Sequence, residues 1–234
     1  MLIRETSIPD VIAVVPAAGA GTRLGGAVPK PFREIGGKPI VLRTLEALAA
    51  APSIEGIVLV LAPGAEGSAA ELSLPGLPWF RTAPGGARRF DSVASGLRAV
   101  PDETTIVVVH DGARPFVTVR EIEETIALAR SEGAAIAVTS PVETVKRVDG
   151  DFVTATLDRE RIRLAQTPQA FRARLLREAY DRALAEGWAA TDESAIVERA
   201  GIRVAVVPAD RWNVKITAAE DLPLAEWIAK EVRR

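Results

Sequence analysis

The chain has 234 residues, a formal net charge of −2, 48% hydrophobic and 26% charged side chains, the balance of an ordinary globular domain able to bury a core. Near-neutral charge argues against a protein that coats nucleic acid, and 5% aromatics argue against stacking platforms for single strands. There is no cysteine and one histidine, His110, which excludes disulfides, thiolate catalysis and Cys- or His-rich metal centres; a Ser-His-Asp triad would have to use His110.

The first residues, MLIRETSIPDVIAVVP, mix acids with apolar residues and do not read as a signal peptide. No apolar run approaches the roughly 20 residues of a membrane span. The expectation is a single cytoplasmic domain over residues 1–234, with neither membrane nor nucleic acid as partner.

In chain order, residues 11–15 (VIAVV) read as a buried strand that feeds a Gly-rich turn, residues 16–26 (PAAGAGTRLGG). A helix is expected over 39–51, with Pro in its first turn and Val41, Leu45 and Leu48 on one face. Residues 57–61 (IVLVL) are a second buried strand, and 63–78 read as surface loop. Phe90, Val93, Leu97 and Val100 recur at helical spacing, before a third strand at 106–109 (IVVV).

Thr118 and Glu121 have the form of a capping box, opening a helix to about residue 131, followed by a strand at 134–138. Residues 145–153 (VKRVDGDFV) are two β-type runs joined at Asp-Gly, a hairpin signal. A hairpin between two α/β units has little of its own to pack on, so it reads as a projecting arm against a second subunit, or as a hairpin folded on its own sheet. Helices are expected at 175–185 and from 191 to Gly201, a strand at 204–207, and a second capping box, Thr217 with Glu220, before the last helix. Apolar strands separated by helices imply an α/β fold with a mostly parallel sheet covered on both faces.

Four places carry chemistry. The Gly-rich turn after the first strand exposes backbone N–H groups where open parallel sheets bind ligands, with Arg23 and Lys30 adding charge; equally, such a turn can be only a tight turn. It is not a P-loop, and G-x-G-x-x-G fails because Leu24 holds the third place. Second, Asp111 follows an apolar strand, beside Gly112 and Arg114, and suits a ribose hydroxyl or Mg²⁺, or a plain Asp-Gly turn. His110 reads as a strand-end residue bonded locally rather than a catalyst. Third, Arg159 and Thr167, in residues 156–169, could hold a phosphate or lie in solvent. Fourth, Lys215, read as a strand end before a helix cap, either snorkels or faces a ligand. Lysine is otherwise scarce, at Lys30, Lys38, Lys146 and Lys230. Cations at loop edges with one carboxylate are the inventory for phosphate or nucleotidyl transfer, which needs alignment and charge neutralisation rather than a protein nucleophile.

The segments VVPAAGAGTRLGGAVPKPF, VVHDGARPFV, LDRERIRLAQTPQAF, TDESAIVE and NVKIT occur in this order. Together they resemble the 2-C-methyl-D-erythritol 4-phosphate cytidylyltransferases over nearly the whole chain. The resemblance implies a Rossmann-like nucleotidyltransferase fold with a β-arm at about 140–160 that interlocks a homodimer. It implies transfer of CMP from CTP to 2-C-methyl-D-erythritol 4-phosphate with release of pyrophosphate, with Mg²⁺ carried mainly by the triphosphate near Asp111. By motif position, Ala17, Ala18, Gly19, Gly21, Gly86, Ser92, Asp111 and Gly112 would line the nucleotide. Arg23, Lys30, Arg159 and Lys215 would serve catalysis. Asp111, Arg114, Thr144, Arg159, Thr167, Thr191 and Lys215 would hold the acceptor, Thr144 and Arg159 reaching from the partner's arm. Ala87 stands where relatives often carry an acid or amide. Two rival readings stay open: a cytidylyltransferase for another polyol phosphate such as ribitol 5-phosphate, and an NADP-binding oxidoreductase.

Overall fold

The structure is a computed structural model describing residues 8–19, 29–69, 72, 74, 76–188 and 190–232. In chain order the elements are β1 (Val11–Pro16), β2 (Glu34–Ile35), β3 (Lys38–Pro39), α1 (Ile40–Ala49), β4 (Gly56–Leu61), α2 (Glu66–Ala69), β5 (Trp79–Pro84), α3 (Arg89–Arg98) and β6 (Ile106–Val109). There follow α4 (Val119–Glu132), β7 (Ala134–Thr139), β8 (Lys146–Asp149), β9 (Phe152–Thr156), β10 (Leu164–Arg172), α5 (Ala173–Ala185), α6 (Glu193–Arg199), β11 (Ala205–Pro208) and α7 (Leu222–Trp227).

Among the described residues the main sheet has seven strands in the order β11-β7-β10-β6-β1-β4-β5. Every neighbouring pair is parallel except those of β10, which runs antiparallel to both β6 and β7. Alternation along β1 explains the two faces. Ile12 and Val14 join α3, α5 and α6 in one apolar cluster, while Val11, Ala13 and Val15 join α1 and α4 in the other. Period-2 side chains with both faces apolar are what a sheet sandwiched between helices requires.

Local signals place the helices. Thr118 and Glu121 form the expected reciprocal cap of α4, the Thr118 hydroxyl accepting from the Glu121 N–H and the Glu121 carboxylate accepting from the Thr118 N–H. Gly133, at φ 96, closes α4 in a conformation that side chains disfavour. The Asp-Gly signal at 149–150 is met by the antiparallel pair β8–β9, whose Val148, Phe152 and Val153 are exposed.

Four expectations need correction. The second cap is made by Asp221, not Glu220: its Oδ2 accepts from the Thr217 N–H, the Thr217 hydroxyl and the Ala218 N–H, because a 3-10 turn, Ala219–Asp221, precedes the helix. Residues 63–78 are not wholly loop, since α2 lies within them and Ala69 packs into the core. Lys215 sits in an irregular loop rather than at a strand end. The stretch around Gln166–Gln169, for which no strand was expected, lies in β10; Pro168 falls where the register shifts between Ala165 and Gln169, so its missing N–H costs the ladder little.

Candidate active site

At the carboxyl ends of β1, β5 and β6 the chain leaves a cleft of about 520 Å³, on the edge where open α/β sheets bind ligands. Its lining includes Ala17, Ala18, Gly19, Lys30, Gly86, Arg89, Ser92, Asp111, Gly112, Lys215 and Thr217. Gly85 lets two loops meet: a Cβ there would stand 2.1 Å from the Ala18 Cβ. Ser92 holds the same loop, its hydroxyl accepting from the Gly86 N–H and donating to the Arg88 carbonyl, both at 3.1 Å.

Asp111 is the electrostatic centre. Its Oδ1 takes the Arg89 Nε–H at 2.9 Å, and its Oδ2 faces Lys215 Nζ at 2.9 Å and Arg114 Nε at 3.5 Å. Burial alone would raise the Asp111 carboxyl, but Arg89, Lys215 and Arg114 outweigh it and hold the group well below the usual carboxylate range. The Asp111 N–H donates to the Thr167 hydroxyl, so the antiparallel β10 buttresses the loop.

The Lys215 loop is pinned on both sides of the lysine. The Ile216 N–H donates to the Ala113 carbonyl at 2.9 Å, and Ile216 is buried with Ile35, Ile40 and Phe116. Arg114 Nη1 donates to the Asn213 carbonyl at 2.7 Å, and the Asn213 amide donates to the Thr167 carbonyl at 2.8 Å. Lys30, in the 3-10 turn Lys30–Phe32, lines the same cleft. Its charge adds to the hydrogen bonds of Thr217 and Ala218 in lowering the Asp221 carboxyl.

Lys30 and Lys215 therefore share one cleft with Asp111, as the charge-convergence argument expects. Arg114 and Thr167 support Asp111 from behind without lining the cleft. Thr144, Arg159 and Thr191 are exposed and outside it, and Arg159 donates to the Val142 carbonyl at the base of the hairpin. Gly21 and Arg23 lie outside the described residues. His110 is wholly buried, with Nε2 3.0 Å from the Arg114 carbonyl; burial pulls its imidazole down to about 4 against that hydrogen bond and the nearby Asp111 charge.

Sequence reading passed over Arg89 and Glu193. Arg89 Nη1 donates to Glu193 Oε1 at 2.8 Å, and the same oxygen accepts from the Tyr180 hydroxyl at 3.0 Å. The available signal was Arg89 at the start of a helical pattern, shortly after Gly85-Gly86.

A cleft at this sheet edge that brings Ala17, Ala18 and Gly19 together with two lysines and a cation-bound aspartate is the setting of a nucleotidyltransferase. The family model for 2-C-methyl-D-erythritol 4-phosphate cytidylyltransferase matches residues 11–231, and the chain belongs to that family. A protein of that name from Syntrophus aciditrophicus is 42% identical over 229 residues, covering 95% of this chain and 97% of its own. One from Desulforamulus reducens is 41% identical over 94% of this chain and 96% of its own. The crystal structure of 4-diphosphocytidyl-2C-methyl-D-erythritol synthase from Anaerococcus prevotii superposes with a TM-score of 0.85 at 31% identity, covering 94% of this chain and 96% of that one. The 2-C-methyl-D-erythritol 4-phosphate cytidylyltransferase of Thermus thermophilus gives 0.77 at 35% identity, covering 93% and 98%.

Proposed function

We propose that the chain transfers CMP from CTP to 2-C-methyl-D-erythritol 4-phosphate. An oxygen of the acceptor phosphate attacks the α-phosphorus in line, the bond from that phosphorus to the bridging oxygen breaks, and pyrophosphate leaves. The supporting observation is that Ala17, Ala18, Gly19, Gly86, Asp111, Lys30 and Lys215 border one cleft in a chain of this family.

Two polyanions must approach each other, and fixed cations offset their repulsion. Lys30 and Lys215 act on the triphosphate, with Arg23 completing the set by motif position. Ala17, Ala18, Gly19, Gly21, Gly86, Ser92 and Gly112 form the nucleoside side, largely through backbone groups. Asp111 serves the ribose and orients Lys215. Arg114, Thr167 and Thr191 form the acceptor side, joined by Thr144 and Arg159 from a partner's arm. The exposed apolar residues of the β8–β9 hairpin, Val148, Phe152 and Val153, with Val142 at its base, support a homodimer built on that arm. The chain acts as one domain.

Among the described residues no group of three or more His, Cys, Asp or Glu could hold a metal. Asp111, the acid lining the cleft, already faces three cations. This donor set fits Mg²⁺ carried mainly by the triphosphate and sitting near Asp111. When bound, the ion supplies charge neutralisation of the phosphates. Among the described residues no helix is long and apolar enough to cross a membrane; the reading places the activity in the cytoplasm.

Phosphorus NMR of the products tests the reading, with CTP and Mg²⁺ and either methylerythritol phosphate or ribitol 5-phosphate. Pyrophosphate and a cytidine diphospho-polyol should accumulate with the first acceptor. Turnover with ribitol 5-phosphate alone would reassign the acceptor, and turnover with neither would reject the activity.

A further inference from the structure

We propose that Glu193, acting through Arg89, is a positioning residue that fixes Asp111 and so keeps Lys215 docked, as the exchangeable cation, until a phosphate enters. Its effect on turnover rests on the nucleotidyltransferase reading; its effect on Lys215 does not.

The geometry is a chain of charges running from the core to the cleft. The Glu193 carboxylate is 1% exposed, and its Oε1 receives both Arg89 Nη1 and the Tyr180 hydroxyl. Arg89 reaches the other way with Nε onto Asp111 Oδ1. Asp111 then offers Oδ2 to Lys215, whose side chain is 37% exposed, the most open of the group. Arg89 thus spends its guanidinium on two carboxylates at once, an arrangement a planar fork can hold and a single ammonium cannot.

As a stability device this is poor. Arg89 Nη2 and Glu193 Oε2 are buried without hydrogen-bond partners, and a buried ion pair with unmet groups stabilises little compared with packed apolar side chains. As a positional device it is good. Glu193 is held by Tyr180 and is not among the residues that line the cleft. Tyr180 is itself stacked on Phe90 with centroids 4.8 Å apart. Arg89 therefore has an anchor that an incoming phosphate does not touch. Without the Glu193 charge, Arg89 keeps one carboxylate partner and shifts wholly onto Asp111, in competition with Lys215. The exchange that substrate should trigger has then already happened.

Amine labelling with a limiting acylating reagent, read by mass spectrometry, tests this. Glu193→Gln keeps the shape and removes the charge; Arg89→Lys keeps a charge but cannot span both carboxylates. In both variants Lys215 labelling, relative to Lys38, Lys146 and Lys230, should rise several-fold, as buried charge networks respond when one partner is removed. Turnover should fall about tenfold to a hundredfold with the CTP KM nearly unchanged, the pattern of misplacement rather than lost binding. Wild-type Lys215 labelling in both folded variants overturns the proposal. So does a uniform rise at all lysines, or failure of both variants to fold, since either would make the pair merely structural. If the wild-type protein lacks transferase activity, the labelling comparison still decides the point.

Discussion

The ammonium of Lys215 stands 2.9 Å from the carboxylate of Asp111, on a loop with no regular secondary structure, yet clamped to the end of β6 by the Ile216–Ala113 and Arg114–Asn213 hydrogen bonds. A strand end and a distant loop are thereby locked into one cationic edge. Three cations face a single buried carboxylate, so the edge depends on that carboxylate more than on any one cation.

Asp111→Asn should therefore be among the most damaging substitutions at the cleft. It leaves Arg89, Arg114 and Lys215 without their shared counter-charge, and removing one partner of a buried pair costs about 3–5 kcal/mol. Urea unfolding of the variant should show that loss. Because the folded carboxyl lies below its ordinary value, its contribution is present above the unfolded pKa of about 4 and disappears as the pH falls through the lower folded value. Below that window variant and wild type should converge.

His110 makes an independent pH prediction. Its folded pKa of about 4 lies below the unfolded value, because burial favours the neutral ring. A depressed pKa contributes stability above the unfolded value of about 6.5 and loses it as the pH falls. The protein should be about 2 kcal/mol less stable at about pH 5 than at about pH 7.5 from this group alone. As the single histidine, it gives one Hε1 ring resonance to follow in a proton NMR titration. That signal should stay flat through neutral pH; a midpoint near 6.5 would contradict its burial.

Thr118→Ala should cost about 1 kcal/mol, the usual loss of a helix N-cap. Glu121→Ala should cost more. Glu121 is wholly buried, and its second oxygen accepts from the Asp210 N–H, tying α4 to the residues after β11. Thermal melts of the two variants check the order.

The arm predicts a separable phenotype. Phe152→Ser with Val148→Ser should lower the sedimenting mass toward that of one chain while leaving the melting of the α/β body nearly unchanged, because these residues are exposed on the chain itself. Arg159→Ala should raise the acceptor KM and leave CTP affinity nearly intact. A variant that lost only CTP binding would put this residue on the wrong ligand.

How much of this was legible in the residues differs by element. The strands β1, β4 and β6 are short apolar runs with no competing period, and Thr118 with Glu121 spells out its own cap. β10 was hidden because its middle, Gln166-Thr167-Pro168-Gln169, is polar and contains proline. Its burial depends on tertiary partners: Thr167 accepts from the Asp111 N–H, and the Gln169 side chain bonds Asp192 and the Ser194 N–H. Local pattern carries no trace of such partners. The same limit hid Glu193, which reads as a helix-start acid until Arg89 and Tyr180 are seen around it. Lys215 was legible as a residue worth inspecting, because lysine is scarce, but its loop conformation is set by the buried Asn213 rather than by β-propensity.

On the proposed reading, fixed positive groups at the sheet edge let two phosphates meet. Single-turnover CMP transfer by Lys30→Ala and Lys215→Ala, at saturating CTP and methylerythritol phosphate, tests it most directly. Each variant should fold as the wild type does and lose about 10²–10³ in rate, the size expected for one preorganised charge donor. Wild-type transfer rates in both would contradict the account.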